Sequence, residues 1–367
     1  MATIFMETPD ATQAKEFWTT VVGAVTYDTG QKKSGLASWK ADSGAGNAAA
    51  YLRKTAILAD AGRRISVYFR FNAFPANVMS ILTLFDSTEG LWSLEVQVNP
   101  SGVLSFEGVT GSTLSTGIWY RICLAYTITS STISEFRVYL NGILDITKSN
   151  IANRTDSSAI RIGWRDSPGA NKVLNFHHVY VDDSAALTDI GDIRVTAKLP
   201  NAVVHDDFDG STGAVNERPI SEANLQSHTD TTQVHQDYDI ETAAGGDVDI
   251  SADTQIALSF WVWAADGSGA NGTPKLIYQA DTEQAISLVA TPSLFTKIVD
   301  TAIYPSAGTS VIGMESTGAG ADTFFYEGGV LVAYKVAAPS PPAAEVSQRS
   351  IIFDNVVVKV PHKMVGY

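Results

Sequence analysis

Two acidic runs carry the residue types that hold hard cations. His205, Asp206, Asp207 and Asp209 stand together in VVHDDFDG, and Asp182 and Asp183 close NFHHVYVDD. Ca2+ is held by carboxylate and carbonyl oxygens gathered on loops. Asp182, Asp183, Asp206, Asp207 and Asp209 are therefore the candidate ligands, and Ca2+ is the one cofactor the sequence suggests. A third run, HTDTTQVHQDYDIE at 228–241, holds His228, Asp230, His235, Asp237 and Asp239. A strand would set His235, Asp237 and Asp239 on one face, where a divalent ion could bind. The same acids also serve as caps and turn residues.

Aromatic faces suggest a second chemistry, stacking on the C–H face of a sugar ring. Trp164 is followed by Arg165 and Asp166 at a strand–loop junction, and the three form a candidate glycan patch. Trp261 and Trp263 share one face of a strand, fit for stacking, for a partner subunit or for the core. Trp18, Trp39, Trp92 and Trp119 sit in or beside apolar runs and are expected in the core.

Catalytic signatures are missing. No E-x-D-x-x-E run is present, the arrangement by which sandwich glycosidases of the laminarinase type hold acid and nucleophile about 5–5.5 Å apart. Glu95 stands alone, and neither G-x-S-x-G nor H-E-x-x-H occurs. Gly267–Gly272 matches G-x-G-x-x-G but lies between β-rich runs, so it reads as a hairpin loop. The one cysteine, Cys123, reads as a small buried hydrophobe. No enzymatic activity is expected.

The elements that must position these residues read as strands. Ile65, Val67, Phe69 and Phe71 alternate with Ser66, Tyr68 and Arg70, the period of a half-buried strand. GIWYRICLAY, SEFRVYLNGILDITKSN, SSAIRIGW and NFHHVYVDD repeat that rhythm from Gly117 to Asp183, with Asn141-Gly142 and Pro100-Ser101-Gly102 as turn signals. Farther on, Ile256, Leu258, Phe260 and Val262 alternate with Ala257, Ser259, Trp261 and Trp263. The chain has 367 residues, 45% hydrophobic and 17% charged, enough apolar sequence for two cores. The low charge and 29 glycines suit an all-β architecture. The expected fold is two β-sandwich (jelly-roll) domains in tandem, residues 1–195 and 196–337. A Pro/Ala-rich linker and one C-terminal strand fill 338–367. That strand, 350–361, could pair with the chain's own VVHDDFD run or with a neighbouring subunit's sheet edge.

The order of these pieces resembles a known family. Trp119-Tyr120 opening a strand, Asn141-Gly142 ending one, Ile162-Gly163-Trp164, and a last strand closing on Asp182-Asp183 look like the second half of a laminin-G-like (concanavalin-A-like) jelly roll. The resemblance implies a fold that presents loops to sugars or proteins, in some members with calcium. Residues 203–337 resemble carbohydrate-binding-module jelly rolls, on the Phe260-Trp261-Val262 strand and the Phe295-Thr296 strand. Gly191-Asp192-Ile193-Arg194-Val195, followed by Pro200-Asn201, resembles an arrangement in structural proteins of tailed bacteriophages.

A net charge of −14 argues against nucleic acid, whose phosphates need clustered Lys and Arg. No run approaches the ~20 apolar residues of a membrane span, so no membrane insertion is expected. MATIFMETPDATQAKEFW lacks the apolar core of a signal peptide. Together these readings point to a non-enzymatic virion protein, a head-decoration or tail-fibre component made in the host cytoplasm. Its expected partners are other virion proteins, copies of itself and host surface glycans. The alternatives are a secreted or surface carbohydrate-binding protein and, further off, a polysaccharide-degrading enzyme.

Overall fold

The structure is a computed structural model. It describes residues 3–9, 14–55, 62–85, 93–130, 133–151 and 159–198, and beyond these the strands named below. The first strands are β1 (Thr3–Glu7), β2 (Thr20–Val22), β3 (Ala24–Asp28), β4 (Ser38–Asp42), β5 (Ala50–Lys54), β6 (Gly62–Phe71), β7 (Met79–Phe85) and β8 (Ser93–Val98). They continue with β9 (Val103–Phe106), β10 (Val109–Thr113), β11 (Trp119–Ser130), β12 (Ile133–Leu140), β13 (Ile143–Ser149), β14 (Ala159–Trp164) and β15 (Val173–Asp182). One antiparallel sheet runs β13-β12-β11-β6-β15-β4-β3, with β1 beside β15. The other runs β10-β9-β8-β7-β14-β5-β2.

Alternation decides which face lies inside. Ile65, Val67, Phe69 and Phe71 of β6 are buried, as are Ile122 and Leu124 of β11 and Ile160, Ile162 and Trp164 of β14. Each such side chain contributes roughly 1.5–3 kcal/mol by leaving water. The β12–β13 turn uses Asn141 and Gly142 at φ +52° and +91°. Both are positive, as a turn matching the strand twist requires.

Twelve more strands follow among the described residues. They are β16 (Ile193–Lys198), β17 (Pro200–Asp206), β18 (Gln226–His228), β19 (Val234–Ile240), β20 (Thr254–Asp266), β21 (Lys275–Tyr278) and β22 (Thr282–Ala285). The last five are β23 (Ser293–Asp300), β24 (Val311–Ser316), β25 (Thr323–Lys335), β26 (Gln348–Phe353) and β27 (Val356–Pro361). β16-β25-β20-β23, with β18 beside β25, form one sheet, and β17-β19-β24-β21-β22 another. The expected boundary at 195/196 therefore falls inside β16.

Ala257, Leu258, Ser259, Phe260 and Trp261 of β20 are all buried, so this strand is covered on both faces. Ala257 and Trp261, with Leu331 and Ala333 of β25, belong to the same hydrophobic core as Phe5, Phe17 and Trp18. Phe17 meets Trp261 edge-on, ring centres 6.2 Å apart. Residues Met1–Val336 form one compact unit and Ala337–Tyr367 a second. In the second, β26 and β27 pair antiparallel with Ile351 opposite Val358. Two paired strands thus replace the single strand expected over 350–361. The Pro/Ala-rich run 338–347 lies outside the described residues. Among the described residues no helix is long and apolar enough to cross a membrane.

Candidate functional site

The groups best equipped for chemistry gather on the outer face of the first sheet. There β6 places Arg64 and Tyr68, β11 places Arg121, and β15 places Asn175, His177 and Asp182. The register sets Arg64 opposite Asp182 and Tyr68 opposite both His177 and Arg121. An open face of this composition could grip an acidic sugar and move protons. Here Tyr68, Arg121, His177, His178 and Asp182 are all buried.

The cover is the chain itself. Asp183–Asp192, which joins β15 to β16, crosses over β6 and β11 to β12 and returns. Gly62 admits the crossing, because a Cβ there would lie 2.5 Å from the Ala185 Cα. On β12, Tyr139 Oη (2.6 Å) and Arg137 Nη1 (3.1 Å) both donate to the Leu187 carbonyl. On β11, Arg121 donates from Nη1 and Nη2 to the two oxygens of Asp189, each at 2.7 Å. Burial alone would raise the Asp189 carboxyl, but the Arg121 guanidinium outweighs it and holds the acid below its ordinary value. On β6, Tyr68 Oη donates to Asp192 Oδ1. Burial first, and Asp192 second, raise the Tyr68 phenol well above its ordinary value, so this tyrosine stays protonated.

The adjacent histidines are closed off by other parts of the chain, Thr8, Ser34 and Val195. Neighbouring residues of a regular strand point to opposite faces. A bulge in β15 breaks that rule, with the register shifting between His177 and Tyr180. His178 takes φ +51° there, and its ring stacks on His177 with centres 3.8 Å apart. His177 Nε2 meets Thr8 Oγ1 at 3.0 Å. His178 Nδ1 lies 2.9 Å from the Val195 carbonyl oxygen and 3.1 Å from the Val195 nitrogen, and His178 Nε2 meets Ser34 Oγ at 2.7 Å. Burial, joined by the Arg194 and Lys33 charges, pushes His178 down to about 3. Burial and the His178 neighbour push His177 well below its ordinary value. Both rings are neutral structural groups at pH 7. Cys123 is buried on β11, and burial pushes its thiol up to about 12, which makes it a poor nucleophile.

The residues picked out from sequence are distributed differently from that reading. Trp164 is fully buried, on the inward row of β14, with its ring centre 6.1 Å from that of Phe71. It is a core residue and leaves no face for a sugar. Arg165 turns onto Glu95, whose carboxylate also accepts from Ser80 Oγ and, at 2.8 Å, from Gln97 Nε2. Asp166 is the exposed member, at 69% of its side chain. Asp166→Ala is expected to leave the urea unfolding midpoint nearly unchanged, within about 0.5 kcal/mol. Arg165→Ala should cost about 1 kcal/mol by withdrawing a partner from Glu95.

Asp182 is likewise corrected. Both its oxygens accept from Arg64, at 3.1 and 2.8 Å, and Oδ1 also accepts from the Ser184 N–H. It is an ion-pair partner, at 0% exposure, with nothing to offer Ca2+. Burial raises its carboxyl, and Arg64 offsets this only in part. Asp183, next to it, is exposed. Asp206 ends β17 opposite Gln236, and His205 stands opposite Asp237 of β19, so the register joins two runs that the sequence holds apart. Asp207, Asp209, Trp92 and Gly267–Gly272 lie outside the described residues. Among the described residues no three His, Cys, Asp or Glu side chains converge for a metal ion. Trp261 packs against the first sandwich, and Trp263 stands in register with Leu294 of β23. Trp18 and Trp39 are buried, and Trp119 is half-buried. The buried pairs of Arg64, Arg121 and the two histidines escaped the sequence reading. The signal was a row of charged residues at the outward positions of strands.

No protein-family model matches this chain, and no curated protein does. Among solved structures it is similar to an endo-β-1,4-glucuronan lyase from the fungus Trichoderma reesei, at 14% identity and TM-score 0.40, over 50% of this chain and 97% of the other. It is similar to the cellulose-induced protein Cip1 at 17% identity and TM-score 0.34, over 49% and 90% of the two chains. It is also similar to the receptor-binding domain of botulinum neurotoxin type G, at 12% identity and TM-score 0.36, over 50% and 48%.

Proposed function

We propose that this chain is a non-enzymatic structural protein of a tailed-bacteriophage virion, a head-decoration or tail-fibre component. Its β-sandwiches present loops to glycans or to neighbouring proteins. The observation that carries the non-enzymatic reading is the closed polar face. Arg64, Tyr68, Arg121, His177 and His178 each meet a partner inside the chain, with Asp192 and Asp189 closing over Tyr68 and Arg121 and with Thr8, Ser34 and Val195 on the histidines. Such a face stabilises a scaffold. The core shared by the two sandwiches supports the same reading, because it holds them as one body that can carry a surface loop at a fixed place. The Gly191–Val195 run with Pro200-Asn201 supports the virion setting.

The test combines three measurements on the full chain: mass spectrometry of purified phage particles, light scattering in solution, and incubation with polysaccharides. The expected result is several copies per particle, a multimer in solution and no new reducing or unsaturated ends. A monomer that is absent from particles and cleaves a polysaccharide would overturn the proposal.

A further inference from the structure

The junction between the two sandwiches holds a cavity of about 150 Å³. That is about the volume at which an apolar protein cavity admits a benzene ring. Phe5 and Phe17 wall it from the first sandwich, and Leu294 and Ile298 from β23. Four polar residues enter this lining, Glu16, Lys54, Ser259 and Thr296. Ser259 of β20 is buried at 2% exposure, and Lys54, at the end of β5, brings an ammonium.

Lys54 is the group that asks for a ligand. Its Nζ donates to the Phe17 carbonyl at 2.7 Å and lies 5.3 Å from the centre of the Phe5 ring. An ammonium has three donors and no acceptor. One carbonyl uses one of them, and the ring face adds a cation–π contact. Among the described residues no carboxylate lies within ion-pair distance of it. Burial lowers the Lys54 ammonium below its ordinary value. A cation placed at an apolar cavity gains most from an anion that brings its own apolar body. Glu16, also in the lining, is exposed to solvent, which screens its charge from an anion held on Lys54.

From this geometry we infer that the junction is a binding site for a small monocarboxylate with an apolar body, its carboxylate on Lys54 and its body between Phe5, Phe17, Leu294 and Ile298. The plain alternative is that Lys54 only caps the Phe17 carbonyl at the end of the 3-10 turn Ala14–Phe17.

Calorimetric titration of the full chain with benzoate separates the two readings, with benzyl alcohol as the neutral analogue of the same size. Saturable binding of one benzoate is expected, with benzyl alcohol about tenfold weaker because it lacks the charge-assisted bond. Lys54→Met should erase the preference for benzoate, and Lys54→Arg should retain it. Ile298→Phe, which fills the cavity and keeps Lys54, should abolish binding of both compounds while the thermal midpoint holds. An absence of benzoate binding overturns the site. So does equal affinity for the two compounds, or benzoate affinity that survives Ile298→Phe in a folded protein.

Discussion

Asp189→Ala should lower the stability of the chain by about 3–5 kcal/mol, the cost of stranding one partner of a buried ion pair. Arg121 has 5% of its side chain exposed and Asp189 17%, and both bonds between them are 2.7 Å long. Removing the carboxylate leaves a guanidinium under the crossing segment, beside Tyr68 and Cys123. It also removes the acceptor of the Gly191 N–H, which helps turn the chain into β16. The loss should appear as a lower urea midpoint, and as faster proteolysis within 184–192. Replacing both partners by apolar residues, Arg121→Met with Asp189→Leu, should recover most of the stability, because no charge is then left unpaired. A single variant within 1 kcal/mol of the parent would mean that the pair does not hold the cover down.

The strands were legible because side-chain alternation is local. Ile65, Val67, Phe69 and Phe71 announce an inward row, and they are buried. The same rule contained the answer for Trp164, which shares its parity with Ile160 and Ile162. Only its nearness to a loop suggested exposure. For Trp261 alternation was not enough. A strand covered by a partner sheet on one face and by the first sandwich on the other buries both of its rows, so neither row marks a surface. The pairs that close the polar face were out of reach for a different reason. Arg64 and Asp182 are 118 residues apart and Arg121 and Asp189 are 68 apart, and single-sequence periodicity carries no information on that scale. The histidine pair depends on a bulge, which moves one residue out of the period-two pattern. The turn at Asn141-Gly142 lies at the other extreme, because two adjacent residue types with positive φ nearly determine it.

That bulge gives the chain a steep dependence on acid. His177 and His178 are held neutral in the folded state, with His178 down at about 3. In the unfolded chain each takes a proton near its ordinary value of about 6.5. Below that pH the unfolded state binds protons that the folded state refuses, so stability falls as pH falls. It is fully present above about 6.5 and keeps declining until the folded-state values are reached. Each histidine contributes a slope of about 1.4 kcal/mol per pH unit. Across the two units beneath 6.5 His178 alone should remove about 2–3 kcal/mol, and His177, lowered in the same direction, adds to that loss. The urea midpoint measured at pH 7.5, 6.5, 5.5 and 4.5 should be flat over the first step and fall over the others. His178→Gln keeps a neutral hydrogen-bonding group in place of the ring. It should lower the midpoint at pH 7.5, because it disturbs Ser34 and Val195, yet roughly halve the slope between 6.5 and 4.5. A parent protein equally stable at pH 7.5 and 4.5 would show that the two rings are reached by water and protonate in place, and the closed polar face would have to be given up with them.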